Sequence, residues 1–176
     1  KKIDNLIEIF FKVKDSPGLF LKLLKLLEHY GLEVIDAKIF TSRDNQFAAN
    51  TFITKYSRHN RTLKETELIE LTSKIKSNFN KIEDINKLNM NKVDNSKFEK
   101  IVKIAESINK DNDRNLITIE TVDSSGLLTN IAKVFFDNDV SIYSARINTL
   151  GERVEDTFEI ENFNKKLVPN LSLIHI

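Results

Sequence analysis

The sequence predicts an α+β chain made of two tandem split βαβ units, and three observations carry that prediction. Ile7, Ile9, Phe11 and Val13 alternate with polar or outward residues, the period of a half-buried strand. Phe20, Leu23, Leu24 and Leu27 then follow helical spacing, with Leu19, Leu26 and Tyr30 widening the stripe. Finally, the joint between them, Asp15-Ser16-Pro17-Gly18-Leu19-Phe20, recurs as Asp123-Ser124-Ser125-Gly126-Leu127-Leu128, an offset of 108 positions (126 − 18).

The offset holds without a gap for some distance. Leu23 maps to Ile131, Leu27 to Phe135, Val34 to Ile142, Ala37 to Ala145, Lys38 to Arg146, Ile39 to Ile147 and Thr41 to Thr149. A hairpin then shortens by two, so Thr51-Phe52 maps to Thr157-Phe158. Core positions, cap and turn all correspond, which indicates a duplicated domain and not a solenoid of short repeats.

The elements follow in order. A first strand is expected over 5–14 and a first helix over 17–30, with Ser16 as N-cap, Pro17 at the first helical position and Gly31 as its stop. Strands at 33–41 and 46–55 flank a hairpin at Ser42-Arg43-Asp44-Asn45, in which Asp44 and Asn45 can take positive φ. Ser57 to Arg61 is a polar loop. Leu68, Leu71, Ile75 and Phe79 place a second helix over 63–79, and a short strand near 85–90 would close the unit. The resulting strand-helix-strand-strand-helix-strand order is the ferredoxin-like arrangement, βαββαβ.

Asn91 to Ser96 is a polar linker, followed by a strand over 98–106 that hairpins onto the strand at 116–122. In ferredoxin-like order that slot belongs to a unit's fourth strand, here supplied from upstream. The second unit continues with a helix at 125–137 and strands at 140–149 and 154–161 around a turn at Leu150-Gly151-Glu152-Arg153. No second amphipathic helix follows, so one face of the second sheet should be partly uncovered. The expected domains are 1–92, a linker with the extra strand at 93–115, an incomplete second unit at 116–167, and a tail at 168–176. Leu171-Ser172-Leu173-Ile174-His175-Ile176 resembles a translated adapter sequence, and the start at Lys1-Lys2 without Met suggests a piece of something longer.

Composition narrows the function. The chain has 176 residues, 12 of them Phe, enough for two small cores. Net charge is +1, which draws it towards neither nucleic acid nor a membrane surface. It has no Cys, which excludes disulfides and thiolate metal sites and fits a reducing, cytoplasmic setting. His29, His59 and His175 are scattered among polar residues, so no metal site is expected.

Asp15 to Phe20, Asp36-Ala37-Lys38-Ile39-Phe40-Thr41 and Asn50-Thr51-Phe52 resemble the first ACT domain of bacterial PII uridylyltransferases. Ala145-Arg146-Ile147-Asn148-Thr149-Leu150-Gly151-Glu152-Arg153-Val154-Glu155-Asp156-Thr157-Phe158 resembles the second and is the more specific block. The resemblance covers about 5–167. It departs from the family at Asn50, where the family has Asp as at Asp156, at Ser125 in place of the proline matching Pro17, and in the missing last helix.

The resemblance implies the tandem glutamine-sensing end of a bifunctional enzyme. In that family a nucleotidyltransferase domain adds UMP to the PII protein and an HD-type hydrolase removes it. No catalytic residue of either is expected in this chain, and no cofactor; the parent would need Mg elsewhere. The implied partners are glutamine, the catalytic domains of the same chain and PII as the parent's substrate. The expected effector site uses helix-start N–H groups at Gly18-Leu19 or Gly126-Leu127 for the carboxylate and Asp15 or Asp123 for the ammonium. Asp36 and Lys38, or Ser144 and Arg146, would complete it from the neighbouring unit.

Plainer roles exist for the same residues. Asp15 and Asp123 can cap helices, Gly18 and Gly126 can serve close packing, Lys38 and Arg146 can be outward strand residues, and Arg153, Glu155 and Asp156 can form surface pairs. Alternatives for the whole are an ACT pair sensing another amino acid or a pure docking module. An RNA-binding sheet with Phe47 and Phe52 lacks the Gly-aromatic signature and a basic face. A small acylphosphatase-type hydrolase lacks the arginine its first loop would need.

Overall fold

The computed structural model describes residues 6–42, 44, 46–56, 62–81, 101–109, 114–124, 126–151, 153–164 and 166–168. Along these run β1 (Leu6–Lys14), α1 (Leu19–His29), β2 (Leu32–Thr41), β3 (Phe47–Tyr56), α2 (Glu65–Lys81), β4 (Ile101–Asn109), β5 (Arg114–Val122), α3 (Leu127–Asp137), β6 (Val140–Leu150) and β7 (Arg153–Asn162). The protein is α+β. The seven strands form one sheet in the order β1-β3-β2-β6-β7-β5-β4, and every neighbouring pair is antiparallel.

Alternation along the strands sets which face is buried. Ala48, Phe52, Ala37 and Ile39 point towards the helices in one half, and Ile117, Ile119, Ala145, Ile147, Val154, Phe158 and Ile160 in the other. α1 is buried around most of its circumference because it packs on the sheet and lies between α2 and α3. Phe20 stacks on Phe52 with ring centroids 6.2 Å apart, and Phe135 meets Phe158 edge-on at 5.3 Å. β2 joins β6 through Asp36↔Asn148, Ala37↔Ile147, Lys38↔Arg146, Ile39↔Ala145 and Phe40↔Ser144, which makes the two halves one sheet.

Both sheet helices begin two residues later than expected. Ser16 is not the cap of α1; Gly18 is, at φ 74° and ψ 6°, and no side chain caps the helix. The reason is a turn. Leu19 N–H donates to Ser16 O at 3.1 Å, with Pro17 and Gly18 at the two central positions, the residue preference of a type II turn. The second loop closes with the same bond, Leu127 N–H donating to Ser124 O at 3.0 Å, and Gly126 stands at φ 77°. Gly31, at φ 73°, stops α1 as expected, and Asp139 takes the matching place after α3 at φ 57°.

Asp139 is the only non-glycine residue at positive φ among those described, so Asp44 does not adopt the turn conformation anticipated for it; Asn45 lies outside the described residues. Ser42 organises that hairpin instead, its Oγ donating to Asp44 Oδ1 at 2.5 Å and accepting from Phe47 N–H at 3.2 Å. α2 extends two residues past Phe79, to Lys81.

The upstream strand is β4, paired with β5 at the sheet edge. Its Ile104 and Ile108 share the face of Ile119 and Asn115 across the ladder and are 47% and 53% exposed, since no second helix among the described residues covers them. The strand anticipated near 85–90, the loop at 57–61 and the tail from 169 lie outside the described residues. No helix among the described residues is long and apolar enough to cross a membrane.

Candidate functional site

Each of the two repeated loops faces an element of the other half, and a cavity lies at each meeting. The larger, about 340 Å³, sits where Asp123, Ser124 and the start of α3 approach the end of α1 and the start of β2. The smaller, about 30 Å³, sits where Asp15, Ser16 and the start of α1 approach the end of α3 and the start of β6.

Their linings correspond under the repeat except at Gly31 of the larger and Phe135 of the smaller, and two helix positions differ by an aromatic ring. Leu128 of the larger cavity is matched by Phe20 in the smaller, and Glu28 by Phe136. Two phenyl rings thus stand where the larger cavity has an isobutyl group and a carboxylate, and they fill the space. Asp156 of the larger is matched by Asn50 of the smaller.

Asp156 is the chemical centre of the larger cavity. It lies on the inward face of β7 and is 1% exposed, which corrects its expected place in a surface pair. Around it the β6–β7 ladder is paired at Arg146↔Thr157 and again at Thr149↔Val154. Between them, Asn148 N–H donates to Asp156 Oδ1 at 3.2 Å, the one hydrogen bond of the Asp156 carboxyl among the described residues. Burial pushes its carboxyl up to about 7, and the charge of Asp123 adds to this, against the lowering effect of the Asn148 N–H. The Asn50 side chain is equally buried and its Nδ2 has no hydrogen-bond partner among the described residues.

The N-terminus of α3 lines the larger cavity as well. Leu127 N–H closes the turn, and the first helical bond is Asn130 N–H to Gly126 O at 2.9 Å. The N–H groups of Leu128 and Thr129 precede that bond, the ordinary position of unpaired donors at a helix start. The Ser124 hydroxyl is buried without a hydrogen-bond partner among the described residues. A buried carboxyl group and helix-start donors therefore line one space of small-molecule size.

The structure brings Asp123, Gly126 and Leu127 together around the larger cavity and Asp15, Gly18 and Leu19 around the smaller. Asp36, Lys38, Ser144 and Arg146 line neither; strand parity puts them on the helix-free face. There Ser144 Oγ donates to Glu159 Oε2 at 2.9 Å. Arg153 pairs with Glu120 at 2.9 Å on the surface. Glu28, Glu33, Thr149 and Asp156 were absent from the sequence-derived site. The available signal was Asp156 and Asn50, polar residues at inward positions between Val154 and Phe158 and between Ala48 and Phe52.

Among curated proteins, a bifunctional uridylyltransferase/uridylyl-removing enzyme of Psychrobacter sp. (strain PRwf-1) is 28% identical over 171 residues, 95% of this chain and 19% of the relative. That of Burkholderia lata is 28% identical over 160 residues, covering 89% and 18%. That of Acinetobacter baumannii (strain AYE) is 27% identical over 173 residues, covering 97% and 19%. The chain is homologous to these bifunctional enzymes. It spans under a fifth of their length. No family model matches it.

Proposed function

We propose that this chain is the regulatory, glutamine-sensing part of a cytoplasmic bifunctional uridylyltransferase/uridylyl-removing enzyme, built from two tandem ferredoxin-like ACT units. Glutamine occupies the larger cavity, with its carboxylate at the Leu128 and Thr129 N–H groups and its ammonium among Asp123 and Asp156. The observation that carries this reading is the cavity itself, which is closed jointly by the second repeated loop and by α1 and β2 of the first half. A ligand there bridges both halves, so it favours one arrangement of the pair over others by its differential affinity.

That arrangement would be read by catalytic domains of the same protein, which act on the PII protein. The homology supports this parentage, and the chain's share of its relatives leaves ample length for catalytic domains. Magnesium expected of the parent's transferase would be held outside this chain. Among the described residues no group of Asp, Glu or His is gathered to hold a metal.

Titrating the isotope-labelled chain with glutamine, with glutamate and serine as controls, tests the reading by NMR. Saturable shifts at the Gly126 and Leu128 amides with glutamine alone are expected. A folded spectrum indifferent to glutamine would leave the alternatives, a sensor of another amino acid or a docking module.

A further inference from the structure

We infer that the larger cavity selects its ligand by a protonated amine, with Asp156 as the carboxylate that receives it, and that the smaller cavity takes no amino acid. The inference rests on the amino-acid reading and names the group that the site recognises.

Charge around the cavity is of one sign. α1 contributes Glu28, β2 contributes Glu33, the loop before α3 contributes Asp123, and β7 contributes Asp156. The lining residues of α3 (Leu127, Leu128, Thr129) and of β6 (Ile147, Thr149) carry no charge, and among the described residues none that lines the cavity is basic. The four carboxyls are spread around the space and are not placed to chelate a metal. Of these groups Asp156 alone lies at full burial, with a single N–H donor to its carboxyl and no basic residue among the described lining of the cavity.

A buried carboxylate without a counter-ion is costly, and one incoming ammonium removes that cost. An anionic or neutral group in the same place would leave it standing. The raised pKa of Asp156 is the same fact seen from the proton's side. The twin position supplies the contrast. Asn50 carries no charge, and Phe20 and Phe136 reduce its cavity to about 30 Å³, room for about one water and not for an amino acid.

Binding then exchanges a proton for the ligand. The ammonium keeps its own protons; below neutral pH the Asp156 proton leaves to solvent as the amine enters. One proton is released per ligand bound, and affinity falls as pH falls.

Calorimetric titration of the whole 176-residue chain at pH 7.5 and 5.5, with glutamine and with N-acetylglutamine, tests this. Glutamine is expected to bind one to one, about twentyfold weaker at pH 5.5, releasing a proton whose number is read from buffers of different ionisation enthalpy. N-acetylglutamine, which lacks the ammonium, is expected to bind at least a hundredfold weaker. Asp156→Asn is expected to bind glutamine more weakly with no pH slope, while Glu33→Gln keeps the slope. Glutamine affinity equal at both pH values, N-acetylglutamine binding within about threefold of glutamine, or two glutamines per chain would each overturn the inference and leave the glutamine reading standing. If glutamine fails at both pH values but another amino acid binds, the glutamine reading falls, and that amino acid with its N-acetyl form decides the inference. A panel of amino acids none of which binds overturns both. The wild-type proton count decides the matter even if Asp156→Asn fails to fold.

Discussion

Asp156 and Asn50 occupy the same position in two similar settings, and the difference between acid and amide has a stability consequence. The Asp156 pKa is raised from 3.8 to about 7 by burial. Between those values the unfolded chain has lost the proton and the folded chain keeps it. Stability from this group is therefore complete below pH 3.8 and is lost as pH rises through 7. The loss is on the order of 2–4 kcal/mol at pH 8. Asp156→Asn keeps an oxygen for the Asn148 N–H and removes the charge. Urea denaturation of this variant is expected to show a gain of about that size over wild type at pH 8 and almost none at pH 4. An equal gain at both pH values would show that the carboxyl does not titrate in the fold.

Gly126 makes a second argument at the residue scale. A Cβ there meets nothing within 4 Å, so the position does not need glycine for close packing. It needs glycine for φ 77°. Gly126→Ala is expected to cost about 1–2 kcal/mol by backbone strain, read as a lowered denaturation midpoint. An unchanged midpoint would mean that the turn before α3 is not kept in solution.

At the scale of elements, the β2–β6 seam carries an apparent fault. Lys38 and Arg146 lie directly opposite on the helix-free face, and both are exposed. Like charges at opposed strand positions destabilise, where opposite charges contribute roughly 0.2–1 kcal/mol. Lys38→Glu is therefore expected to stabilise the chain by that order at low salt, with the gain fading at high salt. A destabilised variant would show that Asp36, one position along the same face, already offsets the pair. Along the same face, Tyr143 ties the strands in another way. The Arg114 guanidinium stacks 3.5 Å from its ring centroid and pairs with Glu161 at 2.7 Å, while Phe40 of β2 meets the ring edge-on at 6.5 Å.

Legibility in the sequence followed these scales. Strands and helices were legible because each buries one face, and burial writes a period of two or near four into the chain. The helix starts were misplaced because Ser16-Pro17-Gly18 is a cap signal and a turn signal at once, and the turn prevails with Gly18 at φ 74°. Asp123 and Gly126, which the loop motif singles out, line the larger cavity. Asp36, Lys38, Ser144 and Arg146 line neither cavity, because alternation along β2 and β6 sets them on the other face of the sheet. Cavity size was beyond reach, since it depends on Phe20 and Phe136 reaching across from different halves into one space.

At the scale of the whole molecule, one sheet and one layer of adjoining helices leave no plane along which the halves can part without cost. Separation would break the β2–β6 ladder and strip α1 from α3. Phe52 and Phe158, both fully buried, mark the two halves of the core. A ligand in the larger cavity touches α1 and β2 on one side and β6, β7 and the start of α3 on the other. Its binding energy therefore opposes opening of both. At a hundred times its Kd a ligand adds about 2.7 kcal/mol to the stability of whatever unit must stay folded to hold it. Amide exchange at Phe52 and Phe158, measured with and without saturating glutamine, is expected to slow by a similar factor, on the order of a hundredfold where exchange needs global opening. Slowing confined to Phe158 would mean that the β5–β7 half holds the ligand alone and that the sheet does not couple the halves.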